Sequence, residues 1–188
     1  MRIIGGNFKG KKLFEAFDKK TRPLKDLVKE SIFNILEYSQ EEKINLKDSS
    51  ILDLFSGTGS FGLECISRGA SMVYFFENYK ESIEIIKKNS KKLKCENKIK
   101  IFEISAYNLK KIEEIKNIKF DLIFLDPPYK EKDIQSILEK IIKNNILRKN
   151  GIIVMHRHKK SKDEYAKKFK LIRTEKYGIS KILFGNIT

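Results

Sequence analysis

The sequence predicts an α/β protein whose sheet is mostly parallel and covered by helices on both faces. Three observations carry that expectation. From residue 50 onward, short apolar runs alternate with longer segments of helical spacing, the pattern of a parallel sheet with both faces covered. A glycine-rich turn, Gly57-Thr58-Gly59-Ser60-Phe61-Gly62, follows the first run directly and opens a helix. The chain has 188 residues and 40% hydrophobic content, including 13 Phe and 7 Tyr, enough to fill one domain core without staples.

Taken in order, residues 2–13 are two short strand-like pieces around Gly and Asn, which predicts a hairpin. Thr21-Arg22-Pro23 marks a helix start, with Pro near the first turn. Leu27, Val28, Ile32, Phe33, Ile35 and Leu36 follow at helical spacing. Residues 39–50 are polar and predict a loop. Strands are expected at 50–55, 72–76, 99–104, 120–125 and 151–155, with helices at 59–68, 79–93 and 131–147 between them. Residues 169–174 and 179–184, separated by Lys176-Tyr177-Gly178, predict a terminal antiparallel pair.

Composition sets the class of partner. No apolar run approaches the ~20 residues that span a bilayer, and the first residues lack a secretory h-region. Cys65 and Cys95 form neither a disulfide framework nor metal-ligand spacing. A cytoplasmic protein without membrane association is expected. The net charge is +15, and lysine supplies 34 of the 40 basic residues. With the many Ile and Asn, this fits an AT-rich genome. The excess is uneven, however: residues 1–50 and 51–130 net +3 each, whereas residues 131–188 net +9. That skew favours a polyanionic partner, although charge alone supports a solvated lysine-rich face equally.

Two constellations carry chemistry. Gly57-x-Gly59-x-x-Gly62 between strand and helix lets a nucleotide-like ligand approach the backbone. Glu77 ends the next strand, 20 residues after Gly57, where a carboxylate can accept from both ribose hydroxyls. NAD enzymes and S-adenosylmethionine enzymes share this pattern. Asp53 tips the balance, since a carboxylate before the turn opposes a pyrophosphate and suits a methionine ammonium. The second constellation, Asp126-Pro127-Pro128-Tyr129, directly follows the run at 120–125. A doubly wound sheet puts it at the carboxyl ends of the strands, beside the glycine turn. Consecutive prolines fix the backbone, so the Asp126 carboxylate and the Pro127 carbonyl can act as paired acceptors for an exocyclic amino group, and Tyr129 can stack on its base. Two acceptors gripping the N–H bonds localise the nitrogen lone pair. A rigid turn with an exposed Tyr is the plain alternative. His156 and His158 share a face, but no third ligand accompanies them. The run 157–160 is expected as a solvated face.

These residues resemble a known family. Asp53-Leu54-Phe55-Ser56-Gly57-Thr58-Gly59 and Asp126-Pro127-Pro128-Tyr129 look like motifs I and IV of the class I S-adenosylmethionine-dependent amino-methyltransferases. Arg2-Ile3-Ile4-Gly5-Gly6, Lys9-Gly10-Lys11-Lys12-Leu13, Thr21-Arg22-Pro23, Asp26, residues 28–36 and Ser67-Arg68-Gly69-Ala70 resemble the RsmD family of bacterial 16S ribosomal RNA (guanine-N2) methyltransferases. The match covers most of residues 1–130. It implies a Rossmann-like seven-stranded methyltransferase sheet with helices on both faces (residues 49–188) and an N-terminal hairpin-and-helix extension (residues 1–48).

The resemblance also implies S-adenosylmethionine as cofactor. Its methionine end falls to Asp53, Phe55, Ser56, Gly57, Thr58 and Gly59, its ribose to Glu77 with Asn78, and its adenine to Ser105 and Ala106. Asp126, Pro127, Pro128 and Tyr129 are the implied catalytic group, and no metal is required. Arg2, Lys9, Lys11, Lys12 and Arg22 are the expected RNA contacts. The implied partner is small-subunit ribosomal RNA, naked or within an assembling or assembled 30S particle, and the implied state is a monomer. Three positions depart from the family pattern: Ser105 and His156 replace expected acids, and Leu27 replaces an expected Arg. None is expected to touch the methyl-transfer residues. The rivals are an amino-methyltransferase acting on adenine in DNA or on a protein amide, and a catalytically silent RNA-binding protein on the same fold.

Overall fold

A computed structural model describes residues 1–16, 24–111, 113–130 and 133–188. Its centre is a seven-stranded sheet of order β3-β2-β1-β4-β5-β7-β6. The strands are β1 (Ser50–Leu54), β2 (Met72–Phe76), β3 (Ile99–Phe102), β4 (Phe120–Leu125), β5 (Leu147–His158), β6 (Phe169–Tyr177) and β7 (Ser180–Ile187). β1 to β5 are parallel where they pair, and β7 runs antiparallel to both β5 and β6. The strand order reverses between β1 and β4, so the crevice at their carboxyl ends is the natural ligand position. Among the described residues, no helix is long and apolar enough to cross a membrane.

The helices are α1 (Asp26–Tyr38), α2 (Ser60–Ser67), α3 (Lys80–Leu93), α4 (Glu113–Lys116) and α5 (Ile134–Lys143). One face of the sheet packs with α1, α2 and α3 around Phe33, Phe61, Phe75 and Phe124. Phe61 stacks on Phe33 at 5.0 Å and on Phe124 at 3.8 Å, joining α1 through α2 to the centre of the sheet. The opposite face packs α5 through Ile134, Ile137, Leu138 and Ile141.

Several elements differ from expectation. α5 ends at Lys143 rather than at 147, because Leu147 already belongs to β5. β5 extends three residues beyond 155, because His156, Arg157 and His158 pair with Ile182, Lys181 and Ser180 of β7. The 157–160 run is therefore not uniformly solvated. Arg157 is buried and donates to Asp163 at 2.7 Å, while Lys181 lies 3.5 Å from the same carboxylate. Burial alone would raise the Asp163 pKa, but hydrogen bonds from Arg157 and Ser161, with the Arg157 and Lys181 charges, hold it below the usual range. The 39–49 segment is a loop, but Glu42, Ile44 and Leu46 are buried within it.

The expected N-terminal hairpin is one bridge, Arg2 to Lys12, closed by a tight turn at Gly6–Phe8. Two such short strands are marginal alone, and side chains of α2 and α1 hold them. The buried Glu64 carboxylate accepts from the Ile4 and Gly5 N–H groups at 2.8 and 2.7 Å and from Arg68 at 3.0 Å. Lys29, also buried, donates to the Arg2 carbonyl at 2.7 Å and lies 3.6 Å from Glu64. A side chain on Gly6, at φ +70°, would meet the Ser67 carbonyl at 1.9 Å, so the turn sits directly on the end of α2. The predicted helix start at Thr21-Arg22-Pro23 lies outside the described residues; α1 begins at Asp26.

Candidate active site

The carboxyl ends of four adjacent strands are stitched together by backbone hydrogen bonds. Ser56 N–H donates to the Phe76 carbonyl at 3.1 Å, Glu77 N–H to Phe102 at 3.2 Å, and Asp126 N–H to Leu54 at 3.3 Å. The glycine turn, Glu77 and Asp126 thus share one edge, as the sequence predicts. Gly59, at φ +76°, allows the chain to reverse into α2. Gly62 lets the helix close on β2, since a Cβ there would lie 2.4 Å from the Phe75 ring. Phe55 packs edge-on against Tyr107 at 5.9 Å, which draws the loop carrying Ser105 and Ala106 toward the turn. The Ser105 hydroxyl is held locally by Tyr107 N–H at 3.3 Å.

The turn and its carboxylates suit a cationic, hydroxyl-bearing ligand. Asp53 is buried; its Oδ2 accepts from Gly62 N–H at 3.1 Å, while Oδ1 has no partner among the described residues. Burial pushes the Asp53 pKa well up; the Gly62 hydrogen bond opposes this, and the Asp126 and Glu77 charges add to it. A buried carboxylate with an orphaned oxygen gains from a positive donor. Glu77 Oε2 accepts from Gly57 N–H at 2.7 Å, and Oε1 accepts from Asn78 and Tyr79 N–H at 2.8 and 2.9 Å. These bonds aim the carboxylate and leave further lone pairs on it. No described residue comes within 4 Å of where a Gly57 side chain would stand, so the turn has an open side among the described residues.

Asp126 has a partner that sequence reasoning missed. His156 Nδ1 lies 2.8 Å from Asp126 Oδ1, and His156 Nε2 lies 3.4 Å from the Tyr129 hydroxyl. Tyr129 also hydrogen-bonds Ser180 Oγ at 2.9 Å. The expectation that no departing residue touches the methyl-transfer group is therefore overturned at His156. The reason is the length of β5, which carries His156 alongside the end of β4 with Met155 opposite Leu125. With Oδ1 engaged, Asp126 Oδ2 takes no hydrogen bond from a described residue and remains an acceptor. Pro127 is buried, Pro128 exposed and Tyr129 half-buried. His158 Nδ1 accepts from Lys160 N–H at 3.1 Å, and its ring packs edge-on against Tyr129 at 5.2 Å.

A family described as "Conserved hypothetical protein 95" matches residues 1–186. A Haemophilus influenzae ribosomal RNA small subunit methyltransferase D is 32% identical, over 85% of this chain and 79% of that one. The chain belongs to the RsmD family. A Bacillus subtilis protein described as a candidate rRNA methyltransferase is also 32% identical, over 96% of this chain and 95% of its own. The crystal structure of a candidate methylase from Haemophilus influenzae superposes with a TM-score of 0.77 at 30% identity, covering 100% of this chain and 98% of that one. The fold is accordingly the class I methyltransferase sheet, and an RsmD member carries methyltransferase activity.

The remaining expected contacts lie elsewhere. Met1 Sδ is 3.7 Å from Thr58 Oγ1, at the start of α2, whereas Phe8 N–H donates to Ser67 Oγ at its end. The N-terminal segment therefore runs along α2, and Lys9 lies ~10 Å of helix away from the glycine turn. Lys9, Lys11 and Lys12 are exposed, with Lys11 over the Phe8 ring at 4.9 Å. Arg2 pairs with Asp26 of α1 at 3.2 Å. Arg22 lies outside the described residues.

Proposed function

We propose that this RsmD member transfers a methyl group from S-adenosylmethionine to the exocyclic N2 amino group of a guanine in small-subunit ribosomal RNA. The observation that carries the reading is Asp126 at the end of β4, one oxygen tied to His156 and the other left to accept. The names of the relatives support ribosomal RNA as the substrate class; guanine N2 rests on the N-terminal resemblance. Bound cofactor supplies a sulfonium-activated methyl group. Asp53 would meet its ammonium, the 56–59 turn its carboxylate end and Glu77 its ribose, with Ser105 and Ala106 beside the adenine. Asp126 Oδ2 and the Pro127 carbonyl would hold the two N–H bonds of the target amine, and Tyr129 would stack on its base after the base leaves its stack. These residues would hold the target amine facing the methyl group, and such positioning would supply much of the rate. As the new N–C bond forms, the methyl–sulfur bond would break to leave a neutral thioether, and the amine proton would pass to Asp126 or to water.

In this reading residues 1–48 contribute RNA contacts through Arg2, Lys9, Lys11, Lys12 and Arg22, and residues 49–188 perform the chemistry. The protein acts as a monomer in the cytoplasm. The test is incubation with methyl-tritiated S-adenosylmethionine and naked small-subunit RNA, partly assembled particles or complete 30S subunits, followed by nucleoside analysis. N2-methylguanosine in any of the three is expected. Label in N6-methyladenosine or in protein would replace the guanine reading, and no transfer to any RNA would remove it.

A further inference from the structure

We propose that a groove between the start of α1 and the β6–β7 turn binds a nucleotide adjacent to the target guanine in the single-stranded RNA. The inference rests on the RNA reading above and names a contact which that reading lacks. The groove encloses about 360 Å³. Lys25 and Leu27 form one wall, and Lys176 and Ile179 form the other. Tyr129 and His156 close its inner end, so it continues directly from the Asp126 site. Neither Asp126, Pro127 nor any residue of the glycine turn lines it, so the reacting amino group lies outside it.

Its chemistry matches one nucleotide. The volume lies at the small end of ligand sites, the scale of a single nucleotide rather than a duplex. Leu27 is 70% exposed and Ile179 42%, two of the five exposed large apolar residues among those described. Turning a base out of an RNA strand strips its neighbour of a stacking partner, and facing apolar side chains replace that contact. Among the described residues, Lys25 and Lys176 form no ion pair and no acid lines the groove. The nearest acids in sequence are engaged, Asp26 with Arg2 at 3.2 Å and Glu175 with Arg173 at 3.7 Å. The two ammonium groups are thus available to a phosphate. The Tyr177 hydroxyl bonds Ser31 Oγ, which ties the β6–β7 turn to α1 and keeps the two walls at a set separation. This contact also places the β6–β7 turn, part of the basic C-terminal third of the chain, beside Tyr129 and His156.

The experiment uses the full-length protein, a fluorescent single-stranded oligoribonucleotide and the RNA or particle that the wild type methylates. Lys25→Gln with Lys176→Gln should weaken oligonucleotide binding about tenfold and flatten the slope of log affinity against log salt by about 0.7 per lost phosphate contact. Leu27→Asp with Ile179→Asp should raise KM for the RNA about tenfold or more, because a carboxylate replaces an apolar wall and repels phosphate. Cofactor affinity by calorimetry and thermal midpoint should stay unchanged in both, showing that neither variant has misfolded. Unaltered oligonucleotide binding and KM in both variants would overturn the groove while leaving the methyltransferase reading intact. Unaltered oligonucleotide binding with activity lost only on a protein-containing particle would also overturn it, assigning the groove to a protein partner. Failure of the wild type to methylate any RNA would instead strike the underlying reading.

Discussion

The proposed catalytic edge has two halves built in different ways. The half proposed to hold the cofactor, at the ends of β1 and β2, is assembled by backbone. Its carboxylates accept from N–H groups within 20 residues, Gly62 for Asp53 and Gly57, Asn78 and Tyr79 for Glu77. The half proposed to hold the substrate, at the ends of β4, β5 and β7, is assembled by side chains from distant segments. Asp126 meets His156 30 residues later, and Tyr129 meets Ser180 51 residues later. A backbone cradle tolerates sequence change at most positions around it. A side-chain relay does not, because each member has one hydrogen-bonding chemistry. Substitutions should therefore separate cleanly into those that affect cofactor binding and those that affect methyl transfer.

The largest separation is expected at Asp126. Asp126→Ala should lower the rate of methyl transfer about a hundredfold or more, with cofactor affinity nearly unchanged by calorimetry. Near-wild-type turnover would remove Asp126 from the mechanism. Glu77→Ala should do the reverse, weakening cofactor affinity about ten- to a hundredfold through loss of a charge-assisted acceptor worth about 1.5–3 kcal/mol. Because Glu77 also holds Gly57 N–H, Glu77→Gln should recover part of the loss. Unchanged binding in both would return Glu77 to a purely structural role.

His156→Gln sharpens the comparison further. It removes the ring that links Asp126 to Tyr129, and loss of one such hydrogen bond costs about 1 kcal/mol, so kcat should fall about five- to tenfold. Cofactor affinity should not move. An effect on cofactor affinity equal to that on kcat would show that the halves are not independent.

The smallest effect concerns Asp53 and stability. Its pKa in the folded protein is raised, chiefly by burial, so the folded state retains a proton that the unfolded chain releases. The stability from this group is full below the ordinary carboxylate range and is lost as pH rises through the raised value. Asp53→Asn removes that loss. The variant should melt higher than wild type at neutral pH, by about 2–4 °C per kcal/mol relieved, with the gap closing in acid. Its cofactor affinity should fall, and wild-type affinity should rise with pH until Asp53 is ionised. A melting gap independent of pH would separate Asp53 burial from the titration.

The sequence by itself determined the strand-helix alternation, the glycine turn, and the sharing of one edge by Asp53, Glu77 and Asp126. Each rests on neighbours in the chain: apolar runs that must be buried, a positive φ at Gly59, and a proline pair after a buried strand. Only the tertiary structure decided how far β5 runs, since Leu147 and His158 become strand by pairing with β4 and β7. That pairing turned His156 from an isolated histidine into the partner of Asp126. It also buried Arg157 against Asp163, although residues 157–160 read as a charged surface run. The N-terminal segment shows the same limit, because its path along α2 follows from the Glu64 carboxylate some 60 residues away. Local backbone preference and burial are written in short windows of sequence. Hydrogen-bond partners between distant side chains depend on strand register and helix docking, which are settled only when the whole core packs.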